Sequence, residues 1–256
     1  MSENVEDVIV QISIAGNAET GKTAFCHRLL NNISYKNEND YAPTIGLDFM
    51  ATKYVFPSSL NAKVHIWDFS GKQTYNGIIC SYFASSCASI FFCDVTNKSS
   101  VEDLYNWYDT LEKKIGRRIQ SYPVIVVGNI TELAKHNDLL DESKKQTNKS
   151  AFHKYIRDSK KMLVEPSQKI VDYTTLAKGF ANRYGLVYVE LDMREYGNVQ
   201  LVWNTLMQSI YNLLLIRRTN LPGIEYKERK TISVDEDNNT NVMLLSNKPT
   251  PCCAIL

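Results

Sequence analysis

The run Gly16-Asn17-Ala18-Glu19-Thr20-Gly21-Lys22-Thr23 stands directly after an apolar, β-branched stretch and directly before a helix-like one. Its pattern is G-x-x-x-x-G-K-[ST]. Val8-Ile9-Val10-Gln11-Ile12-Ser13-Ile14-Ala15 reads as a buried strand, and Ala24-Phe25-Cys26-His27-Arg28-Leu29-Leu30 as a helix start. A strand that passes through a glycine loop into a helix turns backbone N–H groups and a helix N-terminus toward one point, which suits a polyphosphate. Lys22 would reach the terminal phosphates, and the Thr23 hydroxyl would bind Mg²⁺.

Strands and helices alternate beyond this unit. Residues 47–56 and 62–68 predict two strands joined through Pro57-Ser58-Ser59-Leu60-Asn61 as an antiparallel hairpin. Ser89-Ile90-Phe91-Phe92-Cys93-Asp94, Pro123-Val124-Ile125-Val126-Val127-Gly128 and Leu186-Val187-Tyr188-Val189 are short, dense apolar runs of the kind buried on both faces. Helical patterns cover residues 101–115, 173–184 and 198–218; in the last, Val199, Val202, Trp203, Leu206, Ile210, Leu213 and Leu214 recur at spacings of three and four. The alternation predicts an α/β fold, one domain over residues 8–218, with a mostly parallel sheet and helices on both faces. Residues 1–7 form an N-terminal extension. An insertion at about residues 135–168 carries eight Lys/Arg against five Asp/Glu and reads as a solvated surface segment. Residues 219–256 show no period and read as a flexible tail.

Composition narrows the function classes. A net charge of +1 predicts no strong electrostatic partner such as bulk nucleic acid. Six cysteines, at 26, 80, 87, 93, 252 and 253, show no C-x-x-C pairing and no histidine-paired metal pattern, which fits free thiols in a reducing compartment. The acidic N-terminus lacks the basic and apolar regions of a secretory signal, and no uncharged stretch approaches the length of a membrane span, so neither is expected.

Three further motifs follow in order: Tyr41-Ala42-Pro43-Thr44-Ile45-Gly46-Leu47-Asp48-Phe49, then Trp67-Asp68-Phe69-Ser70-Gly71, then Cys93-Asp94-Val95-Thr96-Asn97-Lys98 at the end of the next strand. With them the chain resembles the small GTPases of the Ras superfamily, and the Rab branch most closely through its T-I-G-x-D-F run and the tryptophan before D-x-x-G. The resemblance implies a P-loop small-GTPase fold with a six-stranded sheet, GTP/GDP and Mg²⁺ as cofactors, and in-line transfer of the γ-phosphoryl group to water. Residue by residue, it implies phosphate contacts from the loop (Gly16, Asn17, Ala18, Glu19, Thr20, Gly21, Lys22, Thr23). It makes Thr44 the switch I threonine on Mg²⁺ and the γ-phosphate, with Asp68 holding the metal through a water and the Gly71 N–H on the γ-phosphate. Lys22, Thr44, Gly71 and Lys72 would stand around the reacting phosphate. Phe49, Trp67 and Tyr82 match an aromatic triad that Rab effectors read; packing accounts for them equally well. An ATP-using P-loop enzyme is disfavoured by the Thr-Ile-Gly run.

The chain departs from the family pattern at three places. The glutamine that follows the D-x-x-G glycine is replaced by Lys72, with Gln73 one residue later. An amide donates and accepts hydrogen bonds, whereas an ammonium only donates, so slow intrinsic hydrolysis is expected unless an activating protein supplies a glutamine. The base-reading N-K-x-D appears as Asn129-Ile130-Thr131-Glu132, which keeps the asparagine and displaces the carboxylate by one methylene. The third base contact, usually S-A-K, is Asp192-Met193-Arg194; Met193 would offer its backbone N–H and Arg194 would stack on the base. Guanine preference is thus expected but weakened, and a pseudo-GTPase interaction module stands as the alternative.

The chain ends Cys252-Cys253-Ala254-Ile255-Leu256, and Cys253-Ala-Ile-Leu fits the C-a-a-X prenylation signal with geranylgeranyl favoured by the leucine. One prenyl chain holds a membrane only marginally, which makes Cys252 the candidate for a second lipid. The resemblance then implies a monomer on the cytoplasmic face of intracellular membranes, cycling with the cytosol in vesicle trafficking. Its implied partners are effectors, an exchange factor, an activating protein and the prenyl-transfer and extraction machinery.

Overall fold

Strand β1 (Val8–Gly16) alternates its side chains between two cores: Val8, Val10, Ile12 and Ile14 enter one, and Ala15 the other. The computed structural model describes residues 8–32, 42–131, 171–216 and 222–226. Among them, β1 lies between β3 (Leu60–Phe69) and β4 (Ala88–Asp94), both parallel to it. β5 (Val124–Asn129) and β6 (Val187–Leu191) continue the parallel order, and β2 (Leu47–Phe56) closes the opposite edge antiparallel to β3. The order is β2-β3-β1-β4-β5-β6, so the expected hairpin and the mostly parallel sheet are both present.

Helices cover both faces. α1 (Lys22–Asn31) and the last helix pack on one side, where Phe25 and Cys26 meet Val199, Val202, Trp203 and Leu206. On the other side lie α2 (Asn76–Ser85), α4 (Leu104–Ile115) and α5 (Thr174–Tyr184), which bury Ile79, Phe83, Leu104, Leu111 and Phe180. A short α3 (Lys98–Glu102) precedes α4, so the single helix expected over 101–115 breaks at Asp103. The last helix, α6, runs Tyr196–Ile216. Cys26, Cys87 and Cys93 are buried free thiols and Cys80 is partly buried; burial pushes the Cys87 and Cys93 thiols up to about 12.

Two features correct the sequence-based expectation. α2 has no polar face in its sequence: Ile79 and Phe83, four apart, are buried, while the neighbouring Ile78 is 53% exposed, which erases the amphipathic stripe. The second is a seventh strand, β7 (Ile224–Tyr226), within the segment expected to be a flexible tail, so the sheet extends past residue 218. It pairs antiparallel with Val8, Ile9 and Val10, the part of β1 that β4 does not reach because its pairing begins at Ile12. Without β7 those backbone groups would form an open edge. Three residues are too few to show a period. The expected extension (1–7), the insertion (135–168) and the rest of the tail (227–256) lie outside the described residues.

Gly223 makes this return possible. Its φ is +77°, and a Cβ there would sit 2.4 Å from the Cys87 backbone nitrogen and 2.5 Å from the Ser85 carbonyl oxygen. Gly223→Ala is therefore expected to detach β7, at roughly 1–2 kcal/mol. Hydrogen exchange should show faster exchange at Gln11, whose N–H donates to the Gly223 carbonyl at 2.6 Å, and leave β5 and β6 protected.

Candidate functional site

The strand order reverses direction at β1, and the crevice beyond the carboxyl ends of strands at such a point is where α/β sheets bind ligands. The motif residues stand there: Gly16 ends β1, Asp68 lies at the end of β3, Asn129 ends β5 and Leu191 ends β6. α1 begins at Lys22 with no side chain capping its first turn, in contrast to α3, where the Asn97 side chain accepts from the Ser100 N–H. Such uncapped N–H groups favour an anion.

Around the phosphate loop, one pocket is lined by Ala18, Glu19, Gly21, Lys22, Thr23, Thr44, Gly71 and Lys72. Lys22 is buried, and its Nζ donates to the Asn17 carbonyl at 2.6 Å. Burial pushes its ammonium down from 10.5 to about 8, while the nearby Asp68 charge opposes the fall. Thr20 Oγ1 donates to the same carbonyl at 2.9 Å. Glu19 occupies a left-handed conformation at φ 65° and is exposed, so its carboxylate is free to face solvent. Gly71 lies against the loop: a Cβ there would fall 1.9 Å from the Ala18 nitrogen. Lys72 is exposed beside it; Gln73 begins a short 3-10 turn one residue later.

Thr23, Thr44 and Asp68 converge although they are far apart in sequence. Thr23 Oγ1 donates to Asp68 Oδ2 at 2.5 Å, Thr44 Oγ1 stands 3.0 Å from Thr23 Oγ1, and Thr44 Oγ1 reaches the same Asp68 oxygen at 3.5 Å. Burial pushes the Asp68 carboxyl up, against the Thr23 hydrogen bond and the Lys22 charge. Asp68 Oδ1 is buried, with no hydrogen-bond partner among the described residues. Two hydroxyls and one carboxylate, with its Oδ1 unpartnered, are the hard-oxygen donors that Mg²⁺ takes alongside phosphate oxygens. The residues fit the ion.

The base side is closed upon itself. Asn129 Nδ2 donates to the Thr20 carbonyl at 3.1 Å, and Asn129 Oδ1 accepts from the Thr131 N–H and hydroxyl at 3.1 and 2.7 Å. The Met193 N–H, expected to face the base, donates to Thr131 Oγ1 at 2.9 Å. Asp192 is buried and engages Arg194 from two directions, through the backbone N–H and through Nε and Nη2 at 3.0 and 2.6 Å. It thus orders Arg194. Arg28 adds a bond to the Arg194 carbonyl at 3.3 Å. Ile130 lies beside these groups, its N–H on the Leu191 carbonyl. Thr131 is the residue the sequence reading missed; it holds two base-side motifs together, and a hydroxyl between Asn129 and Glu132 was its only signal. Glu132, Cys252 and Cys253 lie outside the described residues.

Phe49, Trp67 and Tyr82 form a continuous aromatic row, with ring centroids 4.8 and 4.4 Å apart. Phe49 is 46% exposed, so packing alone does not bury this row.

The sequence model of the Ras family matches residues 11–212, most of the chain. The chain belongs to the Ras family. Rab and Ypt proteins are among the relatives of this Ras-family chain. It is 25% identical over 145 residues to Ras-related protein Rab-28 of Caenorhabditis elegans, covering 57% of each chain. To the Ypt/Rab-type GTPase YPT7 of Saccharomyces cerevisiae it is 26% identical over 141 residues, 54% of this chain and 65% of that one. To the Ypt/Rab-type GTPase avaA of Emericella nidulans it is 25% identical over 188 residues, 72% of this chain and 90% of that one. For the first two, the match spans less than two thirds of the relative's length. This is a divergent Rab-like member. No helix among its described residues is long and apolar enough to cross a membrane.

Proposed function

We propose that this chain is a Rab-like nucleotide switch that binds GTP and GDP with Mg²⁺, hydrolyses GTP slowly, and acts in vesicle trafficking on a membrane held through lipidated Cys253 and Cys252. The convergence of Thr23, Thr44 and Asp68 beside the buried Lys22 carries the binding half of this reading. A polyphosphate would give the desolvated Lys22 ammonium its counter-charge. Thr23, Thr44 and Asp68 would hold Mg²⁺, which neutralises charge developing on the phosphates when bound. In the reaction, a water oxygen would bond to the γ-phosphorus as the bond to the bridging oxygen breaks; the bond's electron pair leaves with GDP, and the water's proton passes to the phosphate released as inorganic phosphate. Lys22 would stabilise the transferring group, and the Gly71 N–H would orient it.

The catalytic half is weakened by Lys72, which offers donors only and cannot accept a proton from the attacking water. A second reading, a nucleotide-holding interaction module without turnover, is favoured by this residue and by the self-satisfied Met193 and Thr131 pair. Phe49, Trp67 and Tyr82 would present the effector-reading surface in either case. Calorimetric titration of the full chain with GTP, GDP and ATP, each with and without Mg²⁺, tests the binding step. The expected result is guanine binding that weakens at least tenfold when Mg²⁺ is chelated, and ATP binding weaker still. Absence of any nucleotide binding would sink the proposal.

A further inference from the structure

Asn17 is the residue on which the phosphate loop rests. Its carbonyl accepts from both Lys22 Nζ and Thr20 Oγ1, and its peptide is the surface against which Gly71 lies, with Gly71's Cβ position 2.2 Å from the Asn17 carbonyl carbon. The Asn17 side chain is in turn held from α4. Its Nδ2 donates to Asp103 Oδ2 at 2.6 Å, and its Oδ1 accepts from Trp107 Nε1 at 3.0 Å. Both ends of the amide are therefore engaged, by residues 86 and 90 positions away in sequence.

Asp103 is the junction between α3 and α4, in helical conformation at φ −72° and ψ −8°, and its side chain makes no capping bond. One oxygen is turned to Asn17 and the other accepts from Asn106 Nδ2 at 2.9 Å. The loop gains a charge-assisted hydrogen bond from a partner whose direction Asn106 fixes. We infer that Asp103, with Trp107, is a positioning residue for the phosphate loop. It holds Asn17 so that the Asn17 carbonyl stays beneath Lys22, and it thereby sets how long a nucleotide stays bound. The inference rests on the nucleotide-binding reading above.

Dissociation of a fluorescent GDP analogue from the full chain in Mg²⁺ tests it. Asp103→Ser keeps a small polar residue at the helix junction but is too short to reach Asn17. It should release the analogue roughly tenfold faster, the effect of losing one hydrogen bond to a charged group, with the melting temperature of the protein held. Asp103→Asn keeps an acceptor oxygen and should stay within about threefold of the parent. Trp107→Phe keeps the buried ring, removes the Nε1 donor and should give a smaller rise. Combining Asn17→Ala with Asp103→Ser should add little to Asn17→Ala alone, because that change already removes the Asp103 contact together with the Trp107 one. A parent rate in Asp103→Ser, or effects that multiply in the double variant, would overturn the inference and leave the nucleotide-binding proposal standing. Failure of the parent protein to take up the analogue would overturn both.

Discussion

Lys22→Ala is expected to weaken nucleotide binding at least thirtyfold while leaving the ligand-free fold as stable as before, or more so. Lys22 is 5% exposed and its ammonium is driven down to about 8 by burial, so in the empty protein the charge is a liability. The same burial makes it valuable once a polyphosphate arrives, because the ion pair forms where water screens it little. Removing one partner of a buried, hydrogen-bonded charge pair costs about 2–5 kcal/mol, or some thirtyfold to several thousandfold in affinity. Truncation leaves the Asn17 carbonyl with its bond from Thr20, so the loop is not stripped of partners. Titration calorimetry and thermal unfolding together read the two halves: binding weakened and melting temperature held. A variant that unfolds early while binding GDP normally would mean that Lys22 serves packing.

Lys72→Gln is expected to speed single-turnover hydrolysis of bound GTP about tenfold or more, the effect of a side chain that orients the attacking water. The main chain already places residue 72 at the loop. Its N–H donates to Ser70 Oγ at 3.4 Å, its carbonyl accepts from the Tyr75 N–H at 3.2 Å, and Gly71 beside it abuts Asn17 and Ala18. The substitution changes the side chain and leaves that frame intact. An amide there both accepts from and donates to a water, which the ammonium cannot do. Gln73 does not replace it, since it lies one residue further along, in the 3-10 turn leading to α2.

The strand–loop–helix unit was legible because each part has a local signature: β-branched residues, glycines at fixed spacing, then an amphipathic start. The hairpin and the buried parallel strands were legible for the same reason. α2 was not, because its outward Ile78 breaks the periodic pattern. β7 was not, because its partner is the distant start of β1 and its three residues carry no period. In the site, Lys22, Thr23, Thr44 and Asp68 could be named from motifs, while Asp192 had no visible reason. The fold supplies one: it orders Arg194 through a fork of hydrogen bonds. Thr131 and Asp103 were likewise invisible, since each acts by bridging segments that only the folded chain brings together.

The proposed switch joins an intact grip on phosphate and Mg²⁺ to impaired turnover. Phosphate release from GTP pre-bound to the full chain at one-to-one stoichiometry, with Lys72→Gln run beside it, tests that claim most directly. The account predicts that the parent protein retains GTP in Mg²⁺ and releases phosphate slowly, while Lys72→Gln releases it at least severalfold faster from the same amount of bound nucleotide. Parent protein that retains no GTP, or that releases phosphate as fast as the glutamine variant, would contradict it.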